Sequence, residues 1–127
     1  MPEPDERALK IAIVGPCAAG KTTLALRLKS LGYNARQIVQ EHSYVPAMWQ
    51  IISQPDLLIF LDASFEACTA RKSLNWTRRE YDEQRRRLGH ARQNCDIYLD
   101  TTSLNEDQVF DEVQQALGGG QPQPDGV

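Results

Sequence analysis

Two spacings of apolar residues alternate along the chain. Short continuous runs of Ile, Val, Leu and Phe give way to stretches where apolar positions recur every three or four residues. Residues 9–14 (LKIAIV) are the first run and predict a buried strand. Behind it, Leu24, Leu28 and Leu31 stand at helical spacing, and Gly32 follows as a stop, so residues 22–31 predict a helix. Residues 35–40 (ARQIVQ) predict a second strand ending in Glu41-His42-Ser43, and a short helix is expected after Pro46. Residues 56–61 (DLLIFL), apolar on both faces, predict a central parallel strand. Asp62-Ala63-Ser64 then caps a helix through about residue 73. Thr77 and Glu80 match a capping box that opens a helix through about residue 93 despite Gly89. Residues 96–99 (DIYL) predict a fourth strand. Ser103 and Glu106 match a further capping box before a last helix with Val109, Phe110, Val113 and Leu117 on one face.

Strands alternating with helices predict an α/β domain with a short parallel sheet of about four strands, covered by helices on both faces. Ligands in such sheets bind beyond the C-terminal strand ends. The residues to read for chemistry are therefore residues 15–22, Glu41-His42-Ser43, Asp62-Ala63-Ser64 and Asp100-Thr101-Thr102.

Residues 15–22 read GPCAAGKT, a full match to G-x-x-x-x-G-K-[ST], the phosphate-binding P-loop. A strand before it and a helix after it supply the context that the chemistry needs. Backbone N–H groups across Gly15, Cys17, Ala18, Ala19, Gly20, Lys21, Thr22 and Thr23 would wrap phosphates, and the helix N-terminus adds a favourable dipole. Lys21 would reach the β- and γ-phosphates, and the Thr22 hydroxyl would bind Mg²⁺. A tight glycine turn between strand and helix explains Gly15 and Gly20, but not the Lys21-Thr22 pair directly behind them.

Charge sharpens this picture. The chain of 127 residues has a net charge of −3, yet residues 71–92 carry eight basic side chains against three acids, so that segment is about +5 and the rest about −8. A basic island in an acidic protein points to a local polyanion site rather than general nucleic-acid coating. Residues 1–7 and 118–127 are polar, rich in Pro and Gly and without periodicity, and are expected to be disordered tails around one domain over residues 8–117. No apolar run reaches membrane-helix length, and the N-terminal residues lack a secretory pattern. Three cysteines without a CxxC pair favour reduced thiols and a cytoplasmic setting.

Taken together, three stretches resemble the P-loop kinase family, the P-loop NTPase three-layer fold of nucleoside, nucleotide and polynucleotide kinases. They are IAIVGPCAAGKTTLALRL, PDLLIFLDASFEACTARK, and the arginine-bearing segment leading into CDIYLDTTSLNEDQVFDEV. The resemblance implies Mg-ATP-dependent transfer of the γ-phosphoryl group to a hydroxyl. It also implies an arginine-rich lid, here within residues 71–92, for which Arg71, Arg78 and Arg79 are the candidates. A guanidinium suits a loose, oxygen-rich transition state because it stays charged and binds two oxygens at once. A solvated helix face balanced by Glu80, Asp82 and Glu83 is the plainer alternative, above all for Arg85, Arg86 and Arg87. Arg71 and the region near Thr102 would flank adenine, which makes ATP the expected nucleotide.

Glu41, at the end of the second strand, is the first choice for general base or Mg²⁺-holding carboxylate. Asp62 is the second choice for both roles, with helix capping as its alternative. His42 could orient an acceptor phosphate, and Tyr44, Met48, Trp49 and Trp76 form either an acceptor floor or core. The departure from the family is size. Only about 13 residues (42–54) separate the second and third strands, too few to enclose an acceptor. Another subunit, as in a homodimer, would complete the site. Otherwise the acceptor is too large to enclose, such as the 5′ end of single-stranded DNA or RNA tracked by the basic helix. The competing readings are a P-loop ATPase or nucleotide switch acting through a protein partner, and a nucleotide-binding fold without chemistry. No NKxD or D-x-x-G sequence supports a GTPase.

Overall fold

A computed structural model describes residues 9–72 and 75–118. In chain order the elements are β1 (Lys10–Val14), α1 (Lys21–Ser30), β2 (Asn34–Gln37), a 3₁₀ turn (Gln40–His42), α2 (Met48–Ser53), β3 (Leu57–Asp62), α3 (Phe65–Lys72), α4 (Arg78–Arg87), α5 (Gly89–Asn94), β4 (Ile97–Asp100) and α6 (Glu106–Gly118). The four strands form one all-parallel sheet in the order β2-β1-β3-β4. The expected α/β fold with a four-stranded parallel sheet is therefore the observed one. The expected tails, residues 1–7 and 118–127, lie outside the described residues apart from Gly118, which ends α6.

Side-chain alternation along the strands builds two cores. Ile11 and Ile13 of β1 and Ile59 and Leu61 of β3 point to one face, where Leu24 and Leu28 of α1, Cys68 of α3, and Val109 and Val113 of α6 cover them. Ala12, Val14, Leu58 and Phe60 point to the other, against Ile38, Trp49, Leu88 and Ala91. Each fully buried Ile or Leu contributes about 1.5–3 kcal/mol relative to exposure. The continuous apolar runs of β1 and β3 follow from this, since both of their faces are covered.

Several boundaries differ from the sequence expectation, each for a local reason. β2 stops at Gln37 rather than at residue 40. There the chain turns, and the fully buried Gln40 spends its side chain on local backbone, donating to Val45 O at 2.8 Å and accepting from Trp49 N at 2.8 Å. The single helix expected over residues 77–93 is two helices, stepped at Leu88, whose side chain is fully buried in the second core. Its start is as expected: Thr77 Oγ1 accepts from Glu80 N and Thr77 N donates to Glu80 Oε1 at 2.8 Å. The capping box expected at Ser103 and Glu106 lies instead at Asn105 and Gln108. Asn105 N donates to Gln108 Oε1 and Gln108 N to Asn105 Oδ1, both at 2.8 Å. Ser64, not Asp62, caps α3, its Oγ accepting from Ala67 N at 3.0 Å. The end of α3 is seen to Lys72, and residue 73 lies outside the described residues.

Candidate functional site

The loop between β1 and α1 is shaped by close backbone approach. A Cβ on Gly15 would sit 2.0 Å from the carbonyl oxygen of Leu61 in β3, so only glycine fits there. Gly20 has φ +106° and Ala18 φ +68°, the left-handed conformations that curl successive N–H groups toward one side. Helix α1 then begins on Gly20 with no side-chain cap and no acid in its first turn. Of the loop's N–H groups, that of Cys17 donates to Gln84 Oε1 at 3.1 Å and that of Ala19 to Pro16 O at 3.2 Å. Those of Lys21, Thr22 and Thr23 open the helix, where an anion would be favoured.

Lys21 lies inward, 6 % exposed, its ammonium donating to Gly15 O at 2.7 Å, Pro16 O at 3.2 Å and Glu41 Oε2 at 2.8 Å. The 3₁₀ turn after β2 brings Glu41 there. Its carboxylate is 4 % exposed, and Oε1 is buried without any hydrogen-bond partner. A buried carboxylate oxygen left unpaired is costly, and such exceptions call for an explanation. The Thr22 hydroxyl accepts from Gln37 Nε2 at 2.8 Å, and Thr23 Oγ1 donates to Glu106 Oε2 at 3.3 Å.

In front of the loop lies a cavity of about 1000 Å³, lined by residues 17–24 and by Arg27, Gln37, Glu41, Arg71, Lys72, Thr101, residues 104–107 and Val109. It is at the upper end of the size of small-molecule sites. Arg71, from the end of α3, donates to the carbonyl of Ala18 at 3.1 Å, to Thr101 Oγ1 at 3.0 Å and to the carbonyl of Thr101. It thereby pins the glycine loop to the turn after β4. Thr101 Oγ1, itself buried, lies 3.0 Å from the carbonyl oxygens of both Ala19 and Asp62. Arg27 pairs with Asp107 at 2.8 Å across the cavity rim.

The site residues expected from the sequence divide clearly. Gly15 to Thr23, Glu41 and Arg71 come together. Asp62 does not join them. It alternates onto the Leu58 and Phe60 face of β3, away from α1, and does not line the cavity. Its Oδ1 accepts from the Arg85 guanidinium and from Ala63 N, and Oδ2 accepts from Tyr98 Oη at 2.7 Å. Both oxygens are thus engaged in holding α4 and β4 to β3, and Asp62 stands apart from the cavity where the sequence had it as second choice of acid. The hydroxyl of Tyr98 is pushed up to about 12 by burial and by the bond to Asp62, and the Arg85 guanidinium is held still more firmly in its charged form by that bond.

Arg78 and Arg79 do not join the site residues either. Both lie exposed on α4 and neither lines the cavity. Arg78 pairs with Asp82 at 3.4 Å and lies over the rings of Phe65 and Tyr81. Arg86 and Arg87 pair with Glu83, the solvated-face arrangement. Trp49 is core, and its Nε1 donates to His90 Nδ1 at 3.2 Å. Trp76 stacks on Phe65. Of the expected acceptor floor only Tyr44 is open, 84 % exposed, with the Arg87 guanidinium 4.4 Å from its ring centre. Arg87 also reaches the Glu41 carbonyl at 3.4 Å.

Sequence reasoning missed Gln37, Gln84, Arg27 and Lys72. The two amides carry no motif, and their roles depend on α4 and β2 meeting the loop in space. Arg27 and Lys72 follow the motif residues by one helical turn or terminate α3, a signal that helix geometry could have supplied. At the far end of the sheet edge, Asp100 accepts from Thr102 Oγ1 at 2.6 Å and Thr102 N at 2.9 Å, which hold its carboxyl below the usual range.

The three cysteines are free thiols, and among the described residues no helix is long and apolar enough to cross a membrane. No protein-family model matches the chain, and no curated protein matches it.

Proposed function

We propose that the protein is a minimal Mg-ATP-dependent kinase that moves a γ-phosphoryl group to a hydroxyl of a nucleoside, a nucleotide or the 5′ end of a polynucleotide. The observation that carries this reading is the Lys21–Glu41 pair: a buried ammonium resting on the loop's own carbonyls, beside a carboxylate with one oxygen unpaired. Glu41 has one oxygen in reserve for a ligand, and Lys21 has two backbone carbonyls that phosphate oxygens could replace. The uncapped start of α1, the left-handed loop and the cavity in front of them fit a triphosphate.

In this reading Lys21 leaves the carbonyls of Gly15 and Pro16 and neutralises phosphate oxygens, while loop N–H groups fix their position. Mg²⁺ would be held by Thr22 and Glu41, and it supplies neutralisation of charge developing on the phosphates. Glu41 accepts the proton of the acceptor hydroxyl. Arg71, rather than Arg78 or Arg79, is the arginine at the phosphates' side of the cavity, joined by Lys72. Tyr44, Arg87 and His42 border Glu41 on the open side. A ring and a guanidinium there suit a nucleobase and its phosphate, and the open wall suits an acceptor larger than the protein can enclose. The work is expected to take place in the cytoplasm, where thiols stay reduced.

The test is γ-labelled ATP with Mg²⁺ and a panel of nucleosides, mononucleotides, and short DNA and RNA with 5′-hydroxyl ends. Label moving to one class supports the kinase and names its acceptor. Label released only as free phosphate, or retained on ATP, overturns it in favour of a partner-dependent ATPase or a binding fold.

A further inference from the structure

Three side chains of different chemistry meet at the open edge of the glycine loop. Cys17 comes from the loop, and Glu41 and His42 from the 3₁₀ turn after β2. One ligand atom from each lies within 4.8 Å of the others, the one such group of three among the described residues. Cys17 Sγ is 3.7 Å from His42 Nε2, and His42 Nε2 is 3.9 Å from Glu41 Oε2. In a tetrahedral zinc site, sulfur and nitrogen ligands stand about 3.5 Å apart, close to the Cys17–His42 spacing, and the Glu41 carboxylate must draw in further to complete the set.

A second, independent observation points the same way. The Glu41 carboxylate is 4 % exposed; the oxygen nearest His42 is Oε2, and the other, Oε1, has no partner among the described residues. Lys21 satisfies Oε2 alone. The sulfur is also supported from behind. Gln84 Nε2 donates to Cys17 Sγ at 3.1 Å while Gln84 Oε1 accepts from Cys17 N at 3.1 Å. Such outer partners orient a metal ligand and tune it.

We infer that Cys17, Glu41 and His42 form a binding site for a thiophilic divalent cation of the Zn²⁺ class. Sulfur, imidazole and one carboxylate select such a cation over Mg²⁺, which prefers oxygen alone. Three protein ligands leave a fourth position for water. The cation replaces the Cys17 thiol proton, which leaves to solvent. Once bound, it ties the glycine loop to the 3₁₀ turn and occupies Glu41. The site stands on geometry alone. Its consequence, that Zn²⁺ blocks phosphoryl transfer, rests on the function proposed above, because both uses need Glu41.

The experiment titrates Co²⁺ into the reduced, metal-free full chain and follows the near-ultraviolet thiolate-to-cobalt charge-transfer band. One equivalent is expected to bind, with a visible spectrum typical of four-coordination. Zn²⁺ is expected to abolish both features, and excess Mg²⁺ to leave them. Cys17→Ser should lose the band and Cys95→Ser should keep it, each with an unchanged circular dichroism spectrum. Gln84→Met, which leaves all three ligands in place, should weaken binding by about 10–100-fold. A wild-type chain without the band, or a band that survives Cys17→Ser, overturns the site. Label transfer measured with and without Zn²⁺ separates the two proposals. Absent transfer with an intact cobalt spectrum counts against the kinase, and intact transfer without the spectrum counts against the metal site.

Discussion

Glu41 lies just past β2 and Asp62 ends β3, the two neighbours of the central strand β1, and they are nearly equally buried, yet they sit in opposite chemical states. Asp62 is saturated. Arg85, Tyr98 and its own following N–H take both of its oxygens. Glu41 is half satisfied, with Lys21 on one oxygen and nothing on the other. A saturated buried carboxylate ties elements together, here α4, β3 and β4. In the proposed function an unsaturated one is held ready for a ligand, and the ammonium beside it offsets the charge of the unpaired oxygen. Burial alone does not separate the two roles; the count of partners does.

The largest effect that would break this contrast is on turnover. Glu41→Gln should keep nucleotide affinity, read by calorimetry with Mg-ATP, and slow transfer by about 10²–10⁴-fold, the usual range for removal of a general base. Lys21→Ala should abolish measurable phosphate binding. It should also lower stability by about 3–5 kcal/mol in denaturant titration, because Glu41 is left as an uncompensated buried charge. Asp62→Ala should act on stability and not on transfer. Arg85 and Tyr98 are each 41 % exposed and can turn to water, so the loss is about 1–3 kcal/mol, set by the orphaned Ala63 N–H.

Tyr98→Phe should cost about 1 kcal/mol and sharpen the same point by titration. Alkaline absorbance should show one tyrosine ionising near pH 12, absent in the variant. A folded-state value raised above the unfolded one means that this contribution is complete below about pH 10 and is lost as pH rises through 12. The smallest effect is expected of Arg79→Ala, with stability changed by less than about 0.5 kcal/mol and transfer unchanged.

The fold was legible because covered parallel strands write themselves as continuous apolar runs, and β1 and β3 do so without ambiguity. The glycine loop was legible because Gly15 and Gly20 answer to backbone constraints that only close approach and left-handed φ impose. The end of β2 was not, because Gln40 reads as a strand residue until its amide is seen satisfying Val45 and Trp49. Asp62 shows where the limit lies. Its alternation with Leu58 and Phe60 is visible in the sequence, but the presence of Arg85 and Tyr98 on that face depends on how α4 and β4 pack. Arg78 and Arg79 stand apart from the cavity for a related reason. A capping box fixes where α4 begins, not which side of it meets the cavity, and the buried stripe of Tyr81, Gln84 and Leu88 turns those arginines outward.

The most direct measurement compares label transfer from γ-labelled ATP by the wild-type chain, Glu41→Gln and Asp62→Asn, using the acceptor that the panel selects and with folding of each variant checked by circular dichroism. The account predicts transfer by the wild-type chain and by Asp62→Asn, and its loss in Glu41→Gln. Transfer retained by Glu41→Gln and lost in Asp62→Asn would contradict it.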